Sequence, residues 1–249
     1  MTELKSPTTD IMKIIRATIL MFVAAFTICA QDVQIDESEF DTVVAEGKAR
    51  LENRLKPGGY RVTSNFTATL GRATNALVSI ADTYERARDG SARSIRVEGA
   101  PGSPRKTEML LVKSSGYIRE GVGTWTRHAL TVLNPMVRPA FGSEADGAAK
   151  KLISLDTQYY YLGDRGLEAE ELKAYASVEI KKMVYEINGN DYETRTTNTY
   201  YFRRDGSLAR HDLISTGASQ RNGARSEYRF TVKWDIDPMI VVNAPANVP

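Results

Sequence analysis

Residues 228–236 read YRFTVKWDI, and this stretch decides the fold class. Apolar and polar side chains alternate along it without a break: Tyr228, Phe230, Val232, Trp234 and Ile236 against Arg229, Thr231, Lys233 and Asp235. A period of two is typical of a β-strand with one buried and one solvated face. Pro238 then ends the strand, because proline has no N–H to donate to a neighbouring strand.

The same alternation recurs through the C-terminal half. Residues 172–187 form one strand-like run, closed by Asn188-Gly189, a strong hairpin signal. Residues 192–203 lead into Asp205-Gly206, and residues 208–215 run back from it. Each run therefore pairs with the next through a short turn.

The N-terminal half has the same character. In residues 60–70, apolar side chains share one parity and polar side chains the other. Strand-like segments follow at 76–86, 92–98, 107–113 and 115–119, with turn residues at Asp89-Gly90, Pro101-Gly102 and Ser115-Gly116. Consecutive hairpins without crossover helices predict one antiparallel sheet of about nine to eleven strands, and a sheet that wide twists and curls.

One helix precedes this sheet. Across Asp36 to Leu55, apolar side chains recur at three-, four- and seven-residue steps, with acidic residues in the first turns and basic residues later. The stripe consists of Phe40, Val43, Val44, Leu51 and Leu55. Lys56-Pro57-Gly58-Gly59 ends the helix. The fold class predicted is α+β, a large curved antiparallel sheet with an N-terminal helix.

Residues 130–155 interrupt the strand pattern. The stretch LTVLNPMVRPAFG is apolar but contains Pro135 and Pro139, and SEADGAAKKLISL follows with Ser143 as a plausible helix N-cap. We predict a helical insertion between the two halves of the sheet. It serves either as a lid over one face or as an ordinary connection that covers the core, and the sequence leaves both open.

The first thirty residues have the pattern of an export signal. Fourteen uncharged residues, 17–30, follow Lys13 and Arg16 and precede a polar segment, so cleavage after Ala30 is predicted, with residues 31–249 as a single domain. An uncleaved anchor or a buried helix is the alternative, and Met12 is an alternative start to Met1. Ile28 before Cys29 disfavours lipidation. The protein is accordingly predicted to be periplasmic or secreted.

Composition excludes several functions. The whole chain carries a formal charge of +2, and removal of residues 1–30 leaves +1 and no cysteine, which disfavours nucleic-acid binding and excludes thiol catalysis and cysteine zinc sites. The two histidines, His128 and His211, lack an obvious catalytic partner. There is no nucleophile elbow, phosphate loop or dinucleotide fingerprint. We expect no catalytic residues, metal or cofactor, although carboxylates distant in sequence could still pair.

Several short motifs, in order, resemble those of LolA-like and LppX/LprG-like envelope proteins. The resemblance spans roughly residues 36–249 and rests on these segments: Gly116-Tyr117-Ile118-Arg119-Glu120, Gly123-Thr124-Trp125, Tyr161-Leu162-Gly163, Tyr200-Tyr201-Phe202, Asp205 to Arg210, Trp234 to Pro238 and Asn243-Ala244-Pro245. It implies an open half-barrel with helices over its concave face, and a hydrophobic cavity that carries acyl chains of lipids or lipoproteins. The lipobox of the anchored members is missing here.

This resemblance leads to a functional hypothesis: an exported envelope protein, not an enzyme, that binds acyl chains and contacts the membrane only transiently. The predicted cavity-lining residues are Phe66, Tyr117, Trp125, Met136, Phe141, Phe230 and Trp234. All seven could instead be ordinary core residues. The alternatives are an RseB-like module on the same scaffold that binds another envelope protein, and an envelope hydrolase.

Overall fold

The computed structural model describes residues 32–70, 78–100, 102–128, 150–168, 170–185, 191–219 and 225–246. All the elements given below belong to one compact unit, Val33–Pro249. The predicted signal segment, Asn188-Gly189 and most of the predicted insertion, including Met136 and Phe141, lie outside the described residues.

Among the described residues, twelve strands form one sheet and one helix packs against it. The elements are β1 (Val33–Ile35), α1 (Glu37–Leu55), β2 (Tyr60–Leu70), β3 (Val78–Arg86), β4 (Ala92–Gly99), β5 (Arg105–Val112), β6 (Ser115–Glu120), β7 (Thr126–His128), β8 (Lys150–Leu167), β9 (Glu170–Tyr185), β10 (Asp191–Phe202), β11 (Leu208–Ser219) and β12 (Arg225–Ile236).

The sheet is antiparallel, curved and open. Its strand order is β1-β8-β9-β10-β11-β12-β2-β3-β4-β5-β6-β7, so the first and last halves of the chain join where β12 pairs with β2. The predicted fold class is confirmed. The sheet has more strands than predicted because β1 and β7, at its two edges, contain three residues each and are too short to show a period of two.

The helix forms where the sequence predicted it: Asp36 is its N-cap, and it runs from Glu37 to Leu55. It buries Phe40, Val44, Gly47 and Leu51 against one face of the sheet, here called the inner face. Phe202 and Leu208 complete that core, and Tyr159, Tyr200 and Trp234 pack around it. Val43 and Leu55 are partly buried at its margin.

A second core lies on the opposite face, here called the outer face. After β12, Asp237 donates its N–H to Gly59 at 2.8 Å, and the chain runs back over β5 and β6. Ile240 and Val242 are buried there against Ala87 and Leu110. The C-terminal tail therefore covers part of the outer face.

Two local predictions were wrong. Residues 150–155 belong to β8 and not to a helical insertion, because they pair with the end of the long strand β9 and this pairing overrides local helix preference. The turn expected at Ser115-Gly116 lies two residues earlier, at Lys113-Ser114. Val112 pairs with Ser115, and Lys113 takes a positive φ of 55° in the two-residue turn between them.

The hairpin predicted at Asp205-Gly206 is confirmed. The Gly206 N–H donates to the Arg203 carbonyl at 2.8 Å, and Gly206 has a φ of 76°, which a side chain would disfavour. Asp205 accepts from Arg54 of the helix at 2.8 Å. The turn thus holds α1 to the end of β10.

Candidate functional site

Four apolar side chains lie in a row across the middle of the inner face. The strand register places Ile80 beside Phe66, Phe66 beside Phe230, and Phe230 beside Leu213, on β3, β2, β12 and β11. Directly paired residues share a face of the sheet, with Cβ atoms about 4.5–5.5 Å apart. All four are half-buried. They form a continuous apolar strip about three strand spacings wide.

A second row widens this strip. Tyr228 and Val78, on the same face, are 42% and 43% exposed, and the Tyr228 ring stacks on Phe66 with centroids 6.4 Å apart. We call Phe66, Val78, Ile80, Leu213, Tyr228 and Phe230 together the apolar patch. The helix α1 packs on β8, β10 and β11, where Phe40 contacts Tyr159 and Tyr200 at the end of the sheet away from Tyr228. The helix therefore covers one end of the inner face, and the patch begins beyond it.

Polar groups bound the apolar patch on both sides. Along the row, Leu213 pairs with Asn198 and Ile80 pairs with Glu98. In the next row toward the helix, Arg96 donates from Nε and Nη2 to the two carboxylate oxygens of Asp82, at 2.8 and 3.0 Å. This hydrogen bonding raises the pKa of the Arg96 guanidinium. The apolar surface thus ends in a half-buried ion pair on β3 and β4.

His211 lies between the apolar patch and the helix. Its ring stacks on Tyr200 with centroids 4.3 Å apart, and its Nε2 is 3.1 Å from Asn198 Oδ1. Asp212 points to the outer face and accepts from Arg210 Nε at 2.8 Å, so His211 and Asp212 are not a catalytic pair, as the sequence indicated. Burial, and to a lesser degree repulsion from Lys48, lowers the pKa of His211 to about 4.

The low pKa of His211 predicts a specific loss of stability in mild acid. In the unfolded chain His211 binds its proton near pH 6.5, and in the folded chain only near pH 4. Its neutral form therefore stabilises the fold fully above pH 6.5, and this contribution is lost as the pH falls from 6.5 to 4. Because the ring is partly exposed, we expect a loss of about 2 kcal/mol.

Urea unfolding between pH 7 and pH 4 tests this. The His211→Gln variant keeps a polar group of similar reach but cannot titrate, so its free energy of unfolding should change less over the same interval. His128 is exposed, and His128→Gln is the matched control. Equal pH dependence in wild type and His211→Gln would contradict the prediction.

The structure separates the predicted lining residues. Phe66 and Phe230 are direct neighbours in the apolar patch, and Trp234 packs at the margin of the core under α1. Tyr117 and Trp125 lie elsewhere. Strand pairing through β5, β4, β3 and β2 places Tyr117 on the same face of the sheet as Asp235 of β12. Asp235 is next to Trp234 in the strand and therefore points to the opposite face. Tyr117 and Trp125 pack beside Ile240 and Val242 on the outer face. Whether any of them contacts a ligand stays a prediction.

The sequence did not single out Ile80, Val78 or Leu213 as members of the patch. Leu213 stands in HDLIS, where apolar and polar positions do not alternate cleanly. Only the pairing of β11 with β12, and of β3 with β2, brings these side chains next to Phe230 and Phe66. No feature within a single strand could have shown this.

The outer face holds a charged cluster that the sequence also concealed. Glu108 is 1% exposed and faces Arg93, Lys106 and Arg119, with nitrogen–oxygen distances of 3.2, 2.9 and 2.9 Å. The Arg119 guanidinium also stacks over Trp125 at 4.6 Å from the ring centroid. Burial alone would raise the pKa of Glu108, but hydrogen bonds from the three cations outweigh it and lower the pKa to about 2.

A polar groove of about 520 Å³ also opens at the end of the sheet away from α1. Its lining combines small residues of β11 with charged residues of β10 and β12. The residues around it are Thr69, Glu193, Arg195, Thr216, Gly217, Ala218, Arg225, Ser226 and Glu227. This lining is unsuited to an acyl chain, so the apolar patch is the better candidate for such a ligand.

Two kinds of feature are absent from the residues that the structure describes: a cluster of metal ligands and a membrane-spanning helix. Nowhere in this part of the chain do three histidine, cysteine, aspartate or glutamate side chains lie close enough together to hold a metal ion. Over the same residues, no helix has the length and apolar character needed to cross a membrane.

Comparison with known proteins gives structural similarities only. No protein-family model matches the chain, and no curated protein is similar to it in sequence. A putative outer membrane lipoprotein-sorting protein domain from Vibrio parahaemolyticus is 9% identical, over 80% of this chain and 94% of that one, with a TM-score of 0.23. A porin-like protein from Bacteroides uniformis is 11% identical, over 73% of this chain and 98% of that one, with a TM-score of 0.28.

These values leave the function to be inferred from the site itself. The protein is an open antiparallel sheet with a half-buried apolar patch on the face where α1 packs, and an ion pair borders this patch.

Proposed function

We propose that this is an exported envelope protein that binds the acyl chain of a lipid or lipoprotein on its apolar patch and carries it without chemical change. The observation that carries the proposal is the row Ile80, Phe66, Phe230 and Leu213, four apolar side chains in register across four strands, next to Tyr228 and Val78, which are more than one-third exposed. The export signal predicted in residues 1–30 supports an envelope location.

The physical basis is burial of hydrocarbon. Each methylene group removed from water contributes about 0.8 kcal/mol, so a long chain would bind without polar recognition. The row from β3 to β11 spans three strand spacings of about 4.8 Å, or roughly 14 Å. A chain lying across the strands would contact all four side chains of the row at once.

A second candidate function is docking of another envelope protein through β8. Residues 150–158 of β8 lie beyond its pairing with β1 and carry three exposed apolar side chains: Leu152 at 51%, Ile153 at 58% and Leu155 at 51%. Apolar edge strands are where an extended peptide can add to a sheet. This module would need no acyl ligand.

We expect Leu213→Asn to weaken acyl-chain binding at least tenfold, because the substitution places a polar amide in the apolar patch against the hydrocarbon. The test is titration of a fluorescent long-chain fatty acid into wild type and Leu213→Asn. Ile214→Asn is the matched control, since Ile214 is the next residue on β11 and is 40% exposed on the outer face. Equal losses in both variants, or none in either, would contradict the proposal.

Native mass spectrometry separates the two candidates. The full chain is expressed for export in a bacterial host, and the product is purified without detergent. A co-purifying mass identified by extraction as an acylated lipid supports the carrier. A clean protein mass, together with no uptake of fluorescent fatty acid, overturns the carrier and favours protein docking at β8.

A further inference from the structure

We infer that the polar end of the apolar patch, formed by Asp82, Arg96 and Glu98, recognises a zwitterionic headgroup, so that the ligand is an amphiphile carrying both a phosphate-type anion and an ammonium-type cation. This inference rests on the proposed function, because the headgroup site is useful only if the acyl chain lies on the patch. It adds a selectivity that the apolar patch alone does not provide.

Arg96 is positioned as the anion-binding group. It is half-buried, and Asp82 occupies its Nε edge and one Nη2 hydrogen. A guanidinium has five N–H donors in a planar fork, which leaves its second edge for another acceptor. Within the part of the chain that the structure describes, Asp82 is the one acceptor bonded to this guanidinium. A phosphate oxygen pair would fit the remaining edge as a bidentate partner.

The location of Arg96 suits a headgroup attached to a chain on the patch. Asp82 is two residues from Ile80 on β3 and therefore shares its face, and Arg96 is its partner on β4. Diagonal neighbours on one face are about 7–8 Å apart. A headgroup at Arg96 thus lies one strand beyond Ile80, where the apolar row ends.

The surrounding charges favour a zwitterion over a simple anion. The Asp82 carboxylate already offsets the charge of Arg96, and Glu98 adds a second carboxylate close enough to Arg96 to raise its pKa. Glu98 forms no ion pair among the described residues, although Arg105 is its strand partner. An added anion alone would face two carboxylates. A headgroup with a cation as well can place its anion on Arg96 and its cation beside Glu98.

Amphiphiles with identical twelve-carbon chains test this directly. Dodecylphosphocholine, dodecyl sulfate, dodecyltrimethylammonium and dodecyl maltoside are titrated into the protein calorimetrically, each below its micelle concentration. We expect dodecylphosphocholine to bind about tenfold tighter than the maltoside, the size of effect that one charge-assisted bidentate contact supports. The two singly charged compounds should bind more weakly than the zwitterion.

Variants locate the effect. Arg96→Gln and Glu98→Gln should each reduce the preference for dodecylphosphocholine severalfold while leaving the affinity for dodecyl maltoside unchanged. The double variant Asp82→Asn/Arg96→Gln keeps a neutral hydrogen-bonding pair and serves if the single change at Arg96 impairs folding. Arg195→Gln, an exposed arginine on the outer face, is the matched control and should change nothing.

The outcomes distinguish the inference from the proposed function. Equal affinity for all four compounds overturns the headgroup site and leaves acyl binding intact. Tightest binding of dodecyl sulfate overturns the zwitterion, and an unchanged preference in Arg96→Gln overturns the role of Arg96. No binding of any of the four overturns the proposed function itself.

Discussion

Replacement of Glu108 by alanine should lower the free energy of unfolding by about 3 kcal/mol, the lower end of the range for breaking a buried ion pair. Glu108 is 1% exposed, and its carboxylate neutralises Arg93, Lys106 and Arg119. Without it, three cations face one another across β4, β5 and β6. They keep partial contact with solvent, at 41%, 45% and 30% exposure, which is why the lower end of the range applies.

The same carboxylate gives a pH signature. Its pKa is about 2 in the folded chain against 4.5 when unperturbed, so its contribution is complete above pH 4.5 and is lost as the pH falls toward 2. Glu108→Gln should remove this loss while keeping the shape of the side chain. The two intervals overlap only between pH 4.5 and 4, because the contribution of His211 is lost between pH 6.5 and 4. Urea unfolding at pH 7, 4.5 and 2.5 therefore separates the two groups.

The control is a comparable ion pair in solvent. Glu171 accepts from Arg204 at 2.8 Å, with the two side chains 58% and 85% exposed. Glu171→Gln should change the free energy of unfolding by less than about 0.5 kcal/mol, since exposed pairs contribute little. If Glu108→Ala cost no more than Glu171→Gln, the charged cluster would not stabilise the outer face.

The local sequence pattern was sufficient to predict the secondary-structure elements and the fold class. The alternation in residues 228–236 and the stripe around Phe40 and Leu51 are properties of single segments, and both the strand and the helix form where these patterns place them. Antiparallel topology followed from short turns such as Asp205-Gly206. The pairing of β12 with β2 could not be predicted in this way, because the two strands are far apart in the sequence.

The site depends on that long-range pairing, which is why it was only partly predicted. Phe66 and Phe230 were identified as single aromatic residues, and they are neighbours only because β2 and β12 pair in one register. Tyr117 was identified in the same way, as a single aromatic residue in a predicted strand, but it lies on the outer face. Glu108 stands in RKTEMLLV and has the sequence signature of a solvated charge, yet it is buried, with Lys106 of its own strand and Arg93 and Arg119 of the two neighbouring strands around its carboxylate.

Replacement of Phe202 by alanine should cost about 3–5 kcal/mol of unfolding free energy, the usual result for a buried aromatic ring. Phe202 is 3% exposed and joins the helix to the sheet: it packs on Leu51, Phe40 and Val44 within one core, and its ring meets Tyr175 edge-on at 5.7 Å. Its loss would leave α1 facing a cavity. Chemical denaturation measures the effect, with Phe202→Leu as the milder variant if alanine prevents folding.

Gly47→Ala tests the same contact. The change that it causes in the free energy of unfolding should have opposite signs with and without the Phe202 ring, which a general loss of stability would not produce. In most helices Gly→Ala stabilises by about 1 kcal/mol. At Gly47, however, a Cβ would overlap the Phe202 ring and lie 3.3 Å from the Gly206 carbonyl oxygen, so Gly47→Ala should destabilise by about 1–3 kcal/mol. In the Phe202→Ala background the ring is gone, and the same substitution should become stabilising. If Gly47→Ala changed the free energy of unfolding in the same direction in both backgrounds, α1 would not pack on the sheet through this contact. The description of the inner face that the helix covers would then be wrong.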